Sequence, residues 1–228
     1  MNKSYINKRS FLSALKQKAR SKILSKSLFE SIKLNETNSS LNILEFGPGY
    51  GDLALSLLNK FDVKTYAFVD ISNENLKYVS NLIDNKVNLK VYNHDANYSF
   101  SDTDNENIKY DIIVSSHVIE HLSNPSDHLL DIKNLLSKNG ICLLSTPNLD
   151  SLDSIRQGNN WRGHKDETHI SLMGYNYLKS LIDTMDFKLI KDGTSPNNVL
   201  EIIYEKNLES IFFSGFKIGD SSNFIFSK

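Results

Sequence analysis

Leu44-Glu45-Phe46-Gly47-Pro48-Gly49-Tyr50-Gly51 is the stretch that decides how this 228-residue chain is read. An apolar run (Leu41, Ile43, Leu44, Phe46) stops at three glycines, and the apolar positions Leu53, Leu55, Leu57 and Leu58 follow. The pattern predicts strand, tight turn, helix. Glycine adopts positive φ without steric cost and lets a ligand approach the backbone closely. The helix after the turn directs unbonded N–H groups toward that ligand. A nucleotide-like ligand is the expectation, and a glycine turn without any ligand is the alternative.

Working outward, apolar segments alternate regularly between strand and helix patterns. Strands are expected at Asn42–Phe46, Lys64–Asp70, Val87–Asn93, Tyr110–Ser115 and Ile141–Ser145. Helices are expected at Asp52–Asn59, Asn73–Ile83 and Pro125–Ser137, the last ended by Asn139-Gly140. Asn97–Asn107 is polar and reads as loop. Pro147 stops the fifth strand, and Asn148–Ser171 has little periodicity, which marks a long functional loop. A helix at Gly174–Met185, a strand at Asp186–Lys191, and apolar runs at Ile211–Ile218 and Phe224–Phe226 complete the pattern. Such alternation predicts an α/β, doubly wound, mostly parallel sheet with helices on both faces.

Composition bounds the function. The net charge is −1, so the molecule as a whole does not advertise a polyanionic partner, and no DNA binding is expected. No stretch approaches the length of a transmembrane helix, and the N-terminus lacks the apolar core of a secretory signal. Cys142 is the single cysteine, which excludes an internal disulfide. A cytoplasmic protein is the expectation. Charge is nevertheless uneven: Lys3, Lys8, Arg9, Lys16, Lys18, Arg20, Lys22 and Lys26 precede the first acidic residue, Glu30. Apolar residues at helical spacing interrupt them, so residues 1–40 read as a basic helical cap ahead of a core at 41–191 and C-terminal strands at 192–228. The cap is either a solvated cover on the sheet, a lid that attracts an anionic substrate, or a surface for peripheral contact with anionic lipid.

The glycine motif has the form Glu-x-Gly-x-Gly-x-Gly rather than the Gly-x-Gly-x-x-Gly of dinucleotide sites. A carboxylate two residues before the first glycine repels a pyrophosphate but tolerates a sulfonium with an amino-acid tail, directly or through water. Asp70 ends the second strand nineteen residues after Gly51, where an acidic side chain can accept from both ribose hydroxyls. Asp95 follows the third strand. Together Glu45, Gly47, Gly49, Gly51, Asp70 and Asp95 resemble the class I S-adenosylmethionine-dependent methyltransferases over roughly Leu41 to Lys191. The resemblance implies a seven-stranded Rossmann-like sheet whose last strand enters antiparallel. It implies S-adenosyl-L-methionine as cofactor, held by those residues with Ile71, Ala96 and Ser116, and Asp95 meeting the adenine amino group.

Ser115-Ser116-His117-Val118-Ile119-Glu120-His121-Leu122 follows the fourth strand and should border the methyl group, since ligands lie at the carboxyl ends of strands. It looks like the corresponding motif of small-molecule methyltransferases. In RNA-end 2′-O-methyltransferases a Glu-x-x-Glu-His version holds a divalent metal; here His117 stands in place of the first Glu. The reading is that His117 lines the pocket and that Glu120 and His121 contact substrate or fix the loop. A metal on His117, Glu120 and His121, with His164 or His169 added, is the alternative. The loop segment Asn160-Trp161-Arg162-Gly163-His164-Lys165-Asp166-Glu167-Thr168-His169 resembles one in methyltransferases of carbohydrate and surface-polysaccharide pathways. Trp161 is suited to stack on a sugar and Arg162 to hold phosphate, with His164 beside them. His117 and His169 are the candidate bases.

The expected activity is methyl transfer to a small-molecule acceptor, a hydroxyl of a sugar or glycan precursor, that is anionic or sugar-containing, by a protein that could form a homodimer. A quinone or phenolic acceptor, an RNA end, and a non-catalytic binding module are the alternatives.

Overall fold

In a computed structural model of the chain, residues 10–33, 40–83, 87–102, 107–195 and 219–228 are described. The element order is α1 (Phe11–Lys33), β1 (Leu41–Phe46), α2 (Asp52–Leu58), β2 (Val63–Asp70), α3 (Asn73–Ser80), β3 (Asn88–Asn93), β4 (Tyr110–Ser116), α4 (Pro125–Leu135), β5 (Leu136–Pro147), α5 (Leu152–Gln157), α6 (Arg162–Lys165), α7 (Tyr175–Thr184), β6 (Lys188–Ser195) and β7 (Ser221–Ser227). The apolar run at 211–218 lies outside the described residues.

The seven strands form one sheet in the order β3-β2-β1-β4-β5-β7-β6. β1 pairs in parallel with β2 and β4, while β7 enters antiparallel between β5 and β6. The chain winds one way from β1 through β2 to β3, then returns to β1 on its other side with β4. That reversal opens a crevice at the carboxyl ends of β1 and β4, where the splayed loops leave room for a ligand.

Strand alternation sorts the core into two layers. Ile43, Tyr66, Phe68, Ile112 and Val114 face α1, α2 and α3, packing on Leu24, Leu28, Leu57 and Val79. Leu44, Phe46, Val69, Ile113 and Leu144 face α4 and α7, packing on Leu129, Ile132, Leu178 and Ile182. Apolar side chains on both faces explain the near-continuous hydrophobic strands.

Three expectations are corrected. Asn139-Gly140 does not end α4, which stops at Leu135. Ser137–Gly140 is already part of β5, whose pairing with β4 jumps from Tyr110–Leu136 to Ile112–Ile141. Glycine is required at 140 because a Cβ there would lie 2.7 Å from the Tyr110 carbonyl oxygen. The segment Asn148–Ser171 is not a featureless loop: it carries α5 and α6, and Ser151 caps α5 by accepting from the Ser154 N–H at 3.0 Å. The strand expected at Asp186–Lys191 runs instead from Lys188 to Ser195.

Among the described residues the basic N-terminal segment is one helix. Ile23, Leu24 and Leu28 are buried against the sheet layer, and Ser25 Oγ meets Ser56 Oγ of α2 at 2.9 Å. Small serines on the buried stripe let α1 lie close to α2. Phe11 and Leu12 at its start are exposed. No helix among the described residues is long and apolar enough to cross a membrane.

Gly140→Val is expected to destabilise the fold by about 1–3 kcal/mol, because the Tyr110 carbonyl it meets is paired backbone that cannot swing away. Urea denaturation of the two proteins checks this; equal midpoints would remove the constraint.

Candidate active site

A cavity of about 1010 Å³ lies over the carboxyl ends of the strands. Gly47, Gly49, Asp70, Ile71, Asp95 and Ala96 line one half. Gly47 and Gly49 have φ of 63° and 52°, a conformation open to glycine at little cost. A Cβ on Gly47 would lie 2.6 Å from Val118, whereas one on Gly49 would meet nothing within 4 Å. Gly49 therefore presents bare backbone to open space. Gly51 differs: its Cβ would face Val79 and Leu82, so it serves the packing of α2 on α3 rather than the cavity wall.

Asp70 Oδ1 accepts from the Ser72 N–H at 2.7 Å, which aims the carboxylate at the end of β2. Burial raises its pKa, and the bonds from Ser72 and Asn75 oppose the rise. Asp95 Oδ1 accepts from Asn97 N and Nδ2 at 2.9 and 3.0 Å. Asn97 in turn accepts from Ser123 N at 2.8 Å, tying this loop to the one after β4. Asp131 of α4 holds the same loop from beneath, accepting from Ser99 Oγ, Phe100 N and Ser101 N at 2.8–3.0 Å.

Glu45 and Ser116 line a smaller cavity of about 470 Å³ between α1 and the glycine turn. Glu45 is only 3% exposed, and Tyr66 Oη donates to Glu45 Oε2 at 2.7 Å. Burial pushes its carboxyl up to about 8, against the lowering effect of the Tyr66 bond. The open carboxylate expected from the motif is thus replaced by a buried carboxyl that holds its proton at neutral pH.

The other half of the large cavity is polar. His117, with φ of 58°, sits in a left-handed turn after β4, and its N–H donates to Ser145 O at 2.8 Å. Such a backbone is costly for a non-glycine residue and needs surrounding contacts to hold it. His117 Nδ1 lies 3.0 Å from Glu120 Oε1, and Thr146 Oγ1 donates to Glu120 Oε2 at 2.8 Å. Burial, then Arg20 and Arg162, lower the His117 pKa against the pull of Glu120. Burial alone would raise Glu120, but His117 and Thr146 outweigh it and hold the carboxylate ionised. The imidazole is therefore neutral at pH 7, with Nδ1–H donating to Glu120 and Nε2 left as an acceptor.

His121 Nδ1 meets Thr168 Oγ1 at 2.9 Å, and its ring lies edge-on to His169, 4.8 Å between centroids. His169 Nδ1 meets Gly163 O at 2.8 Å. Glu120, His121 and His169 bring donor atoms within 4.8 Å of one another, so the third member is His169 and not His117. Both Glu120 oxygens already accept from the protein, so this set does not present a ready ligand cage.

Glu120 after β4 and two residues of the long segment, Trp161 and His164, refine the sequence reading. Glu120 is fully buried, borders the cavity and holds His117 Nδ1. Trp161 is 6% exposed and lies against Gly163, where a Cβ would clash at 2.1 Å; it is a wall and not an open stacking platform. His164 turns to Gly158 O at 3.0 Å and does not line the cavity. Arg162 and His121 do line it. Sequence reasoning passed over Arg20, which reaches from α1 to Ser145 and Ser221 at the ends of β5 and β7. The only signal was its place in a basic helix.

A family model described as a methyltransferase domain matches residues 8–192. The chain belongs to the class I S-adenosylmethionine-dependent methyltransferases. S-adenosylmethionine is the cofactor of this family. The chain is 28% identical over 126 residues to malonyl-[acyl-carrier protein] O-methyltransferase 2 of Ilyobacter polytropus, covering 55% of the chain. It spans about half (47%) of that curated relative. Among solved structures, the plantazolicin methyltransferase BpumL in complex with SAH aligns at TM-score 0.65 and 17% identity, covering 92% of this chain and 85% of that one. The CurJ carbon methyltransferase aligns at TM-score 0.63 and 14% identity, covering 90% of this chain and 53% of that one. These likenesses are of fold.

A carboxyl whose pKa rises on folding favours the fold at low pH, and the benefit is lost as pH climbs from the ordinary value of 4.5 through about 8. The thermal midpoint is expected to fall across that window in the wild type and to fall less in Glu45→Gln. Parallel slopes in the two proteins would contradict a proton held by Glu45.

Proposed function

We propose that this protein transfers a methyl group from S-adenosylmethionine to a hydroxyl of a small molecule, a sugar or glycan precursor, and so acts in carbohydrate biosynthesis. The observation that supports the reading is the neutral His117 imidazole held by ionised Glu120, which borders the same cavity as Gly49 and Asp70. Gly47, Gly49, Asp70, Ile71, Asp95 and Ala96 would hold the cofactor, with Ser116 and Glu45 beside its amino-acid end. When bound, the cofactor supplies an electrophilic methyl on sulfur, and in-line displacement then depends on alignment.

The protein's own part is proton removal. His117 Nε2 accepts the hydroxyl proton as the oxygen attacks, and the resulting imidazolium is stabilised through Nδ1–H by ionised Glu120. His169 is the second candidate: its Nδ1 is engaged by Gly163 O, and its Nε2 lies 3.6 Å from Asp166 Oδ2. The curated relative is named for O-methylation, which agrees with an oxygen acceptor. The polar half of the cavity, lined by Asp153, Gln157, Arg162 and Thr168, suits a hydroxylated acceptor better than a flat apolar one.

Labelled methyl supplied to extracts separated into nucleotide-sugar, glycan, RNA and protein pools tests the acceptor. Label is expected in a sugar-containing pool; label confined to RNA or protein would refute the reading. With the acceptor in hand, His117→Ala should lower kcat by about 10²–10⁴-fold with cofactor affinity kept. An unchanged kcat would remove His117 as the base. Gly49→Val, which strains the left-handed turn and places a side chain in the open space of the cavity, should abolish cofactor binding while the far-UV circular dichroism stays native. Because His117 titrates below the usual 6.5, kcat/KM should hold down to slightly acid pH and fall only beneath that value.

A further inference from the structure

Deepening the proposed reading, on whose sugar acceptor it rests in part, we propose that the acceptor carries an oxyanion, a phosphate or a carboxylate, bound between Arg20 of α1 and Arg162 of α6. The two guanidiniums come from elements 142 residues apart in sequence, yet both act on the charge of His117. Of the ionisable groups that act on this imidazole, Arg20 and Arg162 are positive and Glu120 is negative. Both guanidiniums line the same cavity as His117.

The positive side is built. Arg20 Nη1 donates to Ser221 Oγ at 3.3 Å and Nη2 donates to Ser145 Oγ. Ser145 Oγ in turn donates to Asn223 Oδ1 at 2.7 Å, so the guanidinium is anchored on the ends of β5 and β7. Those strands lie beyond β4, on the far side of the sheet from the β1 glycine turn and β2 Asp70. Lys16, one helical turn before Arg20, lines the same cavity. A planar guanidinium offers paired N–H donors that match phosphate or carboxylate oxygens.

Carboxylates also line this half of the cavity. Asp153 pairs with Arg156 at 2.8 Å, and Asp166 accepts from Thr168 Oγ1 at 2.6 Å. Asp220 is pushed up to about 6 by burial and by Asp153, with Arg162 and Arg156 opposing. Asp220 thus shares Arg162, and an oxyanion would draw that guanidinium toward Arg20. The N-terminal helix thereby becomes part of the acceptor site and not a cover alone.

The test is calorimetric titration of the full chain, loaded with S-adenosylhomocysteine, with inorganic phosphate, malonate, glucose 1-phosphate, glucuronate and methyl glucoside. Anionic probes are expected to bind, the charged sugars at least tenfold tighter than methyl glucoside. Arg20→Gln and Arg162→Gln should each remove that preference, with Arg20→Lys restoring part of it and S-adenosylhomocysteine affinity unchanged in all three. Preference for phosphates over carboxylates, or the reverse, tells which oxyanion is recognised. If methyl glucoside binds as well as the charged sugars, the oxyanion subsite falls and the sugar reading stands. If phosphate or malonate binds in an arginine-dependent way and the sugars add nothing, the subsite stands and the sugar reading falls. Absence of anion binding, anion binding indifferent to both substitutions, or loss of S-adenosylhomocysteine affinity in Arg20→Gln would each overturn the proposal, the last by assigning Arg20 to the cofactor.

Discussion

The active half of this molecule depends on one buried carboxylate. Glu120 is wholly removed from solvent, and an unpartnered charge there would be costly. Its two oxygens accept from His117 and Thr146, and its backbone carbonyl accepts from Ser171 N at 2.9 Å. One residue therefore ties the turn after β4, the end of β5 and the segment that leads into α7. The left-handed backbone of His117 is held in place by the same contacts. Buried polar networks of this kind rigidify when every member is satisfied and fail together when one is lost.

That network stands at a crevice made by topology. The order of winding reverses between the parallel neighbours β1 and β4, so the loops after those strands diverge. The glycine turn, Asp70 and Asp95 occupy one side of the opening, and His117, Arg162 and His169 the other. The two sides differ in make-up: bare glycine backbone with Asp70 and Asp95 on one, and the two guanidiniums with His117 and His169 among further carboxylates on the other. Asn97 bridges the two sides through Ser123. Helix α1 closes the remaining edge, and Arg20 connects it to the ends of β5 and β7.

Several readings of single residues changed once neighbours were known. Glu45 looks like an open carboxylate in its motif, but Tyr66 of the adjacent strand shields it and burial leaves it protonated. Trp161 looks like a stacking surface until Gly163 is seen beneath it. Gly140 looks like a helix terminator because glycine often plays that part; here the constraint is a carbonyl on a neighbouring strand. Each of these depends on a contact between segments far apart in the chain or on the depth at which a side chain is buried. Neither is written in local pattern.

The chain's order of residues by itself determined the alternation of strands and helices, the α/β class, the glycine turn and the acidic ends of β2 and β3. Those features follow from hydrophobic period and from the steric freedom of glycine, which act over a few residues. Only the tertiary structure decided that Glu120 serves His117, that His169 and not His117 joins His121, and that Arg20 of the N-terminal helix reaches the cavity. Hydrogen bonds need contact distances and charge–charge effects weaken with separation, so side chains remote in sequence acquire their chemistry only when the sheet brings them together.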